Sequence, residues 1–506
     1  MQKSIALKNI EYSIHEKPIL RGVSFKCGMY ERLCLFGENG AGKSTLLKML
    51  CGKVIPDSGV VHKEGHVRFA YVSQEFGKEH SEFTIEKYIE EAAGIQFKKK
   101  SFEISKKLGF NLETNKNKLC GLLSGGQQKI MALATAFALN PDYLLLDEPE
   151  NHIDIVSRAV LIEMLKDYKG GIIFISHDRM IIDSIATKIG ELANGELHIS
   201  SGGYDDYIQT KMERLGGLQR QYDAETKRIR QLSQALIVLQ QKAFRGKDVA
   251  QYRHRRDELE DIKRARKQNA RPEDRETKIK ITQRESALHK GKLLIRITDA
   301  SFAYKQHEYI FEDTCLEIRS GSKLVLLGRN GTGKSTFLKC LIGEHVVSAG
   351  EIAVAQDIKV AYFDQHADLS PEETALNIIE DKLHMGNSDA RSALGAMKFD
   401  IDRMKSLVKN LSGGERMRLR FAIAFGQKPD LLILDEPTNH IDEVTWEILL
   451  EACDSFKSTI LLVSHDYEFI ENFKPDMYWM IKGKKVVERH KDLQVLLEEM
   501  GAPSHG

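Results

Sequence analysis

Apolar residues in this chain come in short, dense blocks separated by polar stretches. RLCLFG, YLLLDEP and GIIFISH in the N-terminal part, and KLVLLG, LLILDEP and TILLVSH in the C-terminal part, are continuous apolar runs that end in glycine, acid or histidine. Such runs fit strands buried on both faces of a parallel sheet, with chemistry gathered at their C-terminal ends. RLCLFG and KLVLLG run through a glycine-rich turn into KSTLLKML and KSTFLKCL, which read as helices. Each half is therefore expected to be an α/β domain with helices on both sheet faces.

The middle of the chain has a different rhythm. Leu218, Tyr222, Glu225, Ile229, Leu232, Leu236 and Leu239 are spaced 4, 3, 4, 3, 4 and 3, a heptad-like seam with one polar member. A break is expected at FRGKD, then the basic helical stretch VAQYRHRRDELEDIKRARKQ, then a third short helix over about 275–289. Two long helices in an antiparallel hairpin fit this best. The expected layout is one α/β domain over 1–205, a basic helical linker over 206–292, and a second α/β domain over 293–506.

Composition changes the picture only through its distribution. The 506 residues carry a formal net charge of +1, with 42% hydrophobic and 29% charged residues, an ordinary globular balance. Residues 211–292, however, hold 23 Lys/Arg against 12 Asp/Glu, so a segment of net +11 lies between bodies that together sum to −10. An exposed spacer made basic only for solubility would not need the heptad seam. The seven cysteines, Cys27, Cys34, Cys51, Cys120, Cys315, Cys340 and Cys453, show no C-x-x-C spacing and read as free thiols in a reducing compartment. The N-terminus has no apolar leader segment, and no run of 18 apolar residues occurs. A soluble, cytoplasmic protein is expected.

The two halves repeat each other. GENGAGKST (37–45) returns as GRNGTGKST (328–336), LSGGQQ (123–128) as LSGGER (411–416), LLLDEPENHID (144–154) as LLILDEPTNHID (431–442), and FISHDR (174–179) as LVSHDY (462–467). From the first loop glycine to the DEP aspartate is 110 residues in one copy and 107 in the other. Four motifs in register mark a duplicated domain.

The glycine-rich turns are phosphate loops. Gly37, Gly40 and Gly42, and in the second copy Gly328, Gly331 and Gly333, allow successive backbone N–H groups to converge on phosphate oxygens at a helix N-terminus. Lys43 and Lys334 are expected to reach the β- and γ-phosphates of ATP, Ser44 and Ser335 to place a hydroxyl on Mg²⁺, and Thr45 and Thr336 to complete the loop. Asp147 and Asp435 end apolar strands and are expected to hold Mg²⁺; Glu148 and Glu436 follow them, placed to orient or polarise an attacking water. His177 and His465, each in an S-H-D triplet at a strand end, are candidates for a polar contact to the γ-phosphate rather than for the general base.

With an LSGG motif between a phosphate loop and a DEP strand in both halves, the chain resembles the ABC ATPases, in which two such domains close head to tail around two ATP molecules. That resemblance implies that Ser124, Gly125 and Gly126 cap the ATP held by Lys334, and that Ser412, Gly413 and Gly414 cap the ATP held by Lys43. It further implies that Gln74 and Gln365 sense Mg²⁺ and the γ-phosphate, and that Tyr12 and Tyr304 stack on adenine. Tandem domains without a membrane span, the ENHID and TNHID tails, and the basic linker resemble in particular the ABC-F proteins, which act on the ribosome. That implies binding at the E site of the 50S subunit, with the linker reaching towards peptidyl-tRNA and the peptidyl-transferase centre. Lys242, Arg245, Lys247, Arg253, Arg255 and Arg256, around the expected hairpin tip, are the candidate contacts to tRNA and rRNA. The protein is expected to be monomeric, to close within one chain, and to have no stable membrane partner.

Two departures matter. Glu150 stands where the second copy has Thr438, placing an extra carboxylate near Asp147 and Glu148. The Gln74–Ser124 interval is 50 residues against 47 for Gln365–Ser412, which leaves little room for the arm insertion of the family's translation factors. The short interval and the sizeable linker favour antibiotic resistance by ribosomal protection over a general translation role. Two other readings, a DNA-handling scaffold and the ATPase subunit of a transporter, leave the long coiled coils of the first missing and the basic hairpin of the second unexplained.

Overall fold

The computed structural model describes residues 3–15, 17–243, 249–268, 291–305, 308–363, 369–439 and 441–502. Residues 1–199 and 279–506 form one compact unit and 200–278 a second.

Each half of the first unit is built on a six-stranded sheet. In the first copy the order is Phe69–Val72, Tyr143–Asp147, Gly171–Ile175, Arg32–Phe36, Lys188–Ala193, Glu196–Ser201. The first five strands are parallel, in register as Leu145 with Ile173 and Cys34 with Phe174. The second copy repeats the order with Val360–Phe363, Leu431–Asp435, Thr459–Val463, Lys323–Leu327, Met477–Lys482 and Lys485–Arg489. Tyr143–Asp147 and Gly171–Ile175 are buried at every position, as the unbroken apolar runs require of strands covered on both faces.

The faces divide with period two. In the second copy Leu324, Leu326, Leu431, Ile433, Leu461 and Val463 pack on the phosphate-loop helix through Phe337, Leu338 and Leu341. Their neighbours Val325, Leu327, Leu432, Leu434, Ile460 and Leu462 face Leu419, Phe421 and Phe425 of the signature helix and Ile448, Leu449 and Ala452 of the helix after the DEP strand. Helices thus cover both faces of the parallel sheet, as expected, and each half adds a sheet that the apolar runs did not disclose. Ser4–Ile14, Lys17–Gly28 and Ser58–Glu64 form a separate antiparallel sheet, as do Leu293–Ala303, Tyr309–Arg319 and Ala349–Val354. The phosphate-loop helix is packed between this sheet and the parallel one, with Ile5, Leu7 and Ile10 joining Leu46, Leu47 and Leu50 in one core. The alternation of buried and exposed positions in Leu293–Ala303 is the mark of such a half-covered strand.

The second unit contains two helices, Tyr204–Ala243 and Val249–Gln268, packed on each other as an antiparallel hairpin. Leu232, at the centre of the heptad seam, is fully buried, and Leu259 nearly so. Arg228 pairs with Glu258 at 2.6 Å across the hairpin. The FRGKD break and the third short helix fall outside the described residues.

Candidate functional site

Both phosphate loops open into helices whose starts carry no side-chain cap. Gly42 and Gly333 cap the helices Lys43–Leu50 and Lys334–Leu341 in left-handed conformation, with φ of 105° and 96°, and neither helix has a side-chain cap. Many other helices of the unit are capped by a side chain, among them those begun by Thr84, Asp154, Asp178 and Asp442. An uncapped helix start leaves backbone N–H groups and the positive end of the dipole facing outward, which suits phosphate. Glycine is required here for a second reason. A Cβ on Gly42 would meet Ile19 Cγ2 at 2.8 Å, and one on Gly333 would meet Ile310 Cγ2 at 2.1 Å.

Lys43 and Lys334 are buried, and their ammonium groups curl back on the loops. Lys43 Nζ donates to the carbonyls of Gly37 and Glu38, and Lys334 Nζ donates to Gly328 O at 2.8 Å. Burial pulls both lysines below their ordinary pKa, opposed chiefly by Glu148 in the first copy and Glu436 in the second. Ser44 Oγ donates to Asp147 Oδ1 at 3.1 Å, and Tyr71 OH to Asp147 Oδ2 at 3.1 Å. Tyr362 OH repeats the second contact on Asp435 Oδ2 at 2.9 Å. Ser335 is exposed beside the second loop.

Glu148 and Glu436 sit in the left-handed region at φ 46° and 50°, which neither motif spelling nor spacing discloses. Their N–H groups donate to Ile175 O and Val463 O, so the strand carrying the histidine fixes the strained turn. Gln74 Nε2 donates to Glu148 Oε2 at 2.8 Å, and Asn151 Nδ2 donates to the same oxygen. Glu436 lies 3.1 Å from His465 Nε2, and burial raises its pKa to about 7. His465 also approaches Lys334 Nζ and Asn330 Oδ1, each at 3.2 Å. His177 packs on Phe36 at 5.6 Å, and burial lowers its pKa to about 4. Glu150 turns to the end of the neighbouring strand, where Ser176 Oγ donates to its Oε1 at 2.6 Å. Desolvation raises its pKa to about 7.

The two copies meet at these sites. Ser124 and Ser412 each cap a signature helix in a complete capping box, which aims the helix start outward. Asn330, in the second phosphate loop, donates its N–H to Asp154 Oδ2 at 3.0 Å and its side-chain amide to His152 O at 2.6 Å. A Cβ on Gly126 would lie 3.0 Å from the same amide, so the first signature abuts the second loop. In the opposite direction, Asp442 acts electrostatically on Lys43 and on His177. Arg179 clasps the contact between the copies, pairing with Glu468 at 2.8 Å and Glu443 at 3.5 Å over the Trp446 ring. Motif reading missed Arg179 and Asn330; the R of SHDR and the N of GRNG were the only sequence signals.

Other candidate residues are placed less fully. Tyr304 is exposed, its OH 3.1 Å from Thr336 Oγ1 and its ring edge-on to His345. Tyr12 packs partly buried against the first antiparallel sheet's core. Arg253 and Arg256 are exposed and Arg255 half-buried at the start of the second hairpin helix, with Arg256 3.4 Å from Asp257. Gln365, Arg245 and Lys247 fall outside the described residues; Lys242 lies on a described helix, its side chain outside the description.

Comparison with known proteins agrees with this architecture. A family model described as ABC transporter matches residues 20–151 and 311–439. The ATP-binding protein Uup of Haemophilus influenzae is 35% identical over 528 aligned positions, covering 95% of this chain and 79% of that relative. Uup of Escherichia coli K12 is 33% identical, covering 96% and 81%. Among solved structures, one of the RNase-L Inhibitor has a TM-score of 0.66 at 20% identity and covers 98% of this chain and 93% of its own. Another, of an archaeal ribosomal stalk protein in complex with the archaeal ribosome recycling factor aABCE1, has a TM-score of 0.67 at 20% identity, covering 97% and 92%. These two share the fold. Among the described residues no helix is long and apolar enough to cross a membrane. With both modules matched by the family model and almost the whole chain aligned to Uup, this chain belongs to the ABC-F family of ATPases.

Proposed function

We propose that the chain is an ATP-gated ribosome factor in the cytoplasm. ATP closes the two modules on each other, and hydrolysis reopens them. The observation that carries the ribosomal half of the reading is the +11 segment, part of which forms the hairpin, in a chain whose other residues sum to −10. Phosphate-rich RNA is the partner such a segment suits, through Lys and Arg contacts that release counterions. Arg253, Arg255 and Arg256, with Lys242, Arg245 and Lys247 near the turn, are the candidate contacts to tRNA and rRNA at the 50S E site.

At each nucleotide site the roles follow from the donors present. The loop N–H groups and Lys43 or Lys334 take the β- and γ-phosphates, the lysines exchanging loop carbonyls for phosphate oxygens. Ser44 with Asp147, and Ser335 with Asp435, supply a hydroxyl and a carboxylate suited to Mg²⁺, joined by Gln74 and Gln365. Bound Mg²⁺ would neutralise developing charge on the phosphate oxygens. Glu148 and Glu436 take the place of the water-polarising carboxylate, and the opposite signature helix, through Ser124–Gly126 or Ser412–Gly414, closes over the γ-phosphate.

Within this reading, protection of the ribosome against antibiotics near the peptidyl-transferase centre is favoured by the segment between Gln74 and Ser124. It holds only short helices, Ile85–Ala92 and Lys98–Lys107, comparable with Ala375–Leu383 and Asn387–Ala396 of the second copy, and no arm. A general translation factor of the same family is the alternative.

The test is co-sedimentation of the Glu148→Gln/Glu436→Gln variant with ribosomes in ATP. Retention that weakens steeply with salt, and weakens further on Arg253→Ala/Arg255→Ala/Arg256→Ala, is expected. Absence of ribosome binding at moderate salt sinks the proposal. Drug susceptibility of a sensitive host expressing the chain separates the two finer forms.

A further inference from the structure

The two modules hold the histidine-bearing loop by different means. In the second copy Thr438 Oγ1 and Ser464 Oγ lie 2.9 Å apart, a neutral hydroxyl pair. In the first copy Glu150 occupies the threonine position. Its Oε1 accepts from Ser176 Oγ at 2.6 Å and from the His177 N–H at 3.4 Å. Hydrogen bonds to a carboxylate are roughly twice as strong as neutral ones. Its Oε2 is buried without a hydrogen-bond partner among the described residues. Two donors of the Ser176–His177 loop thus converge on one Glu150 oxygen, where the second copy shows a single hydroxyl pair.

A second departure accompanies the first. Lys129 stands where the second copy has Met417. Its buried ammonium donates to Ser73 O at 2.8 Å, Gln74 O at 2.9 Å and Asp147 O at 3.3 Å. Of the acids acting on it, Glu150 acts most strongly. The added cation ties the Gln74 segment to the end of the Asp147 strand, and Gln74 with Asn151 occupies one oxygen of Glu148.

The histidines differ accordingly. His465 Nε2 stands within 3.2 Å of Glu436, Lys334 and Asn330. Neither ring nitrogen of His177 has a hydrogen-bond partner among the described residues. His465 Nε2 lies beside Glu436 and Lys334, whereas the Ser176 hydroxyl and the His177 N–H donate to Glu150.

We infer that the two composite sites divide the work: Glu150 anchors the Ser176–His177 loop so that the Lys43 site retains ATP, while the Lys334 site turns it over. This rests on the reading of both sites as ATP sites. At the Lys334 site the water oxygen bonds the γ-phosphorus and the bond from that phosphorus to the β–γ bridging oxygen breaks. ADP leaves with the electron pair, and the water proton passes to the Glu436 carboxylate. Glu150 touches none of these atoms and is a positioning residue.

The experiment uses the full chain with Mg·ATP and measures phosphate release and the KM for ATP. Glu436→Gln is expected to lower release at least tenfold. Adding Glu150→Thr to that variant is expected to raise release at least threefold, by freeing the first loop. The converse graft, Thr438→Glu, is expected to lower kcat at least fivefold with KM changed less than twofold, a split that general loss of packing would not give. The inference is overturned if Glu150→Thr leaves the Glu436→Gln rate unchanged, if Thr438→Glu leaves kcat unchanged, or if Glu436→Gln alone keeps more than half the native rate. A native chain that turns over no ATP overturns instead the ATPase reading beneath it.

Discussion

The two ABC modules are built alike and wired differently. They share strand order, motif order, a left-handed glutamate after the DEP aspartate, and an uncapped helix at the phosphate loop. They diverge at Glu150 against Thr438 and Lys129 against Met417, residues beside the reacting groups rather than among them. The lesson is that a duplicated site can keep its complete motif set and still change its duty, because the groups that hold a catalytic loop can be exchanged separately from the loop.

The largest expected effect tests that division directly. Glu436→Gln is predicted to reduce ATP turnover at the Lys334 site by about 10²–10⁴-fold, the range for loss of a positioned general base, leaving only the slow turnover of the Lys43 site. Glu148→Gln is predicted to abolish only slow turnover at the Lys43 site. Equal losses from the two substitutions in phosphate-release assays would break the comparison.

Stability against pH comes next. Glu150 has a folded pKa of about 7 against an ordinary 4.5, so the folded chain binds this proton more tightly than the unfolded one. Its burial is tolerated when protonated, and stability is lost as pH rises from about 4.5 through about 7, by about 3 kcal/mol at most. Glu150→Thr should therefore stabilise the chain at pH 8 and bring no such gain at pH 4, read as denaturation midpoints at the two pH values. A larger gain at low pH would contradict the burial argument.

The phosphate loops supply a smaller contrast. Gly333→Ala forces a Cβ to 2.1 Å from Ile310, and Gly42→Ala to 2.8 Å from Ile19, both at positive φ. Each is expected to cost about 1–3 kcal/mol in backbone strain and overpacking, the second-copy change more. Thermal melts of the two variants, run side by side, give the order. Smallest is Asn330→Ala, which removes the side-chain hydrogen bond to His152 O and the Oδ1 contact with His465 while keeping the backbone N–H bond to Asp154. At roughly 1 kcal/mol for the side-chain bond, it should weaken ATP binding at the Lys334 site several-fold and leave ATP binding at the Lys43 site tighter by comparison, as a fluorescent nucleotide titration would show.

Much of this was legible in the chain. Runs such as YLLLDEP and TILLVSH are apolar at every position because strands covered on both faces must be, and so the parallel sheets announced themselves. The phosphate loops and signature helices were equally plain, since glycine at positive φ and serine at a capping box leave fixed spellings. The separate antiparallel sheets were less so: Leu293–Ala303 alternates only in part, and period two does not say which sheet a strand joins. The contact of Glu150 with Ser176 was not legible, because sequence proximity drew attention only to Asp147 and Glu148. The chain instead turns sharply at Glu148, and that turn directs residue 150 to the neighbouring strand's end. Asn330 and Arg179 were invisible for another reason, since their partners lie in the other copy.

The most direct test is a single-turnover experiment on the unaltered protein. The chain is loaded with two equivalents of labelled ATP, chased with excess unlabelled ATP, and quenched over time. The account predicts two phases of equal amplitude, one ATP hydrolysed quickly and one retained at least tenfold longer, with Glu150→Thr merging the phases. Hydrolysis of both equivalents at a single rate in the native chain would contradict it.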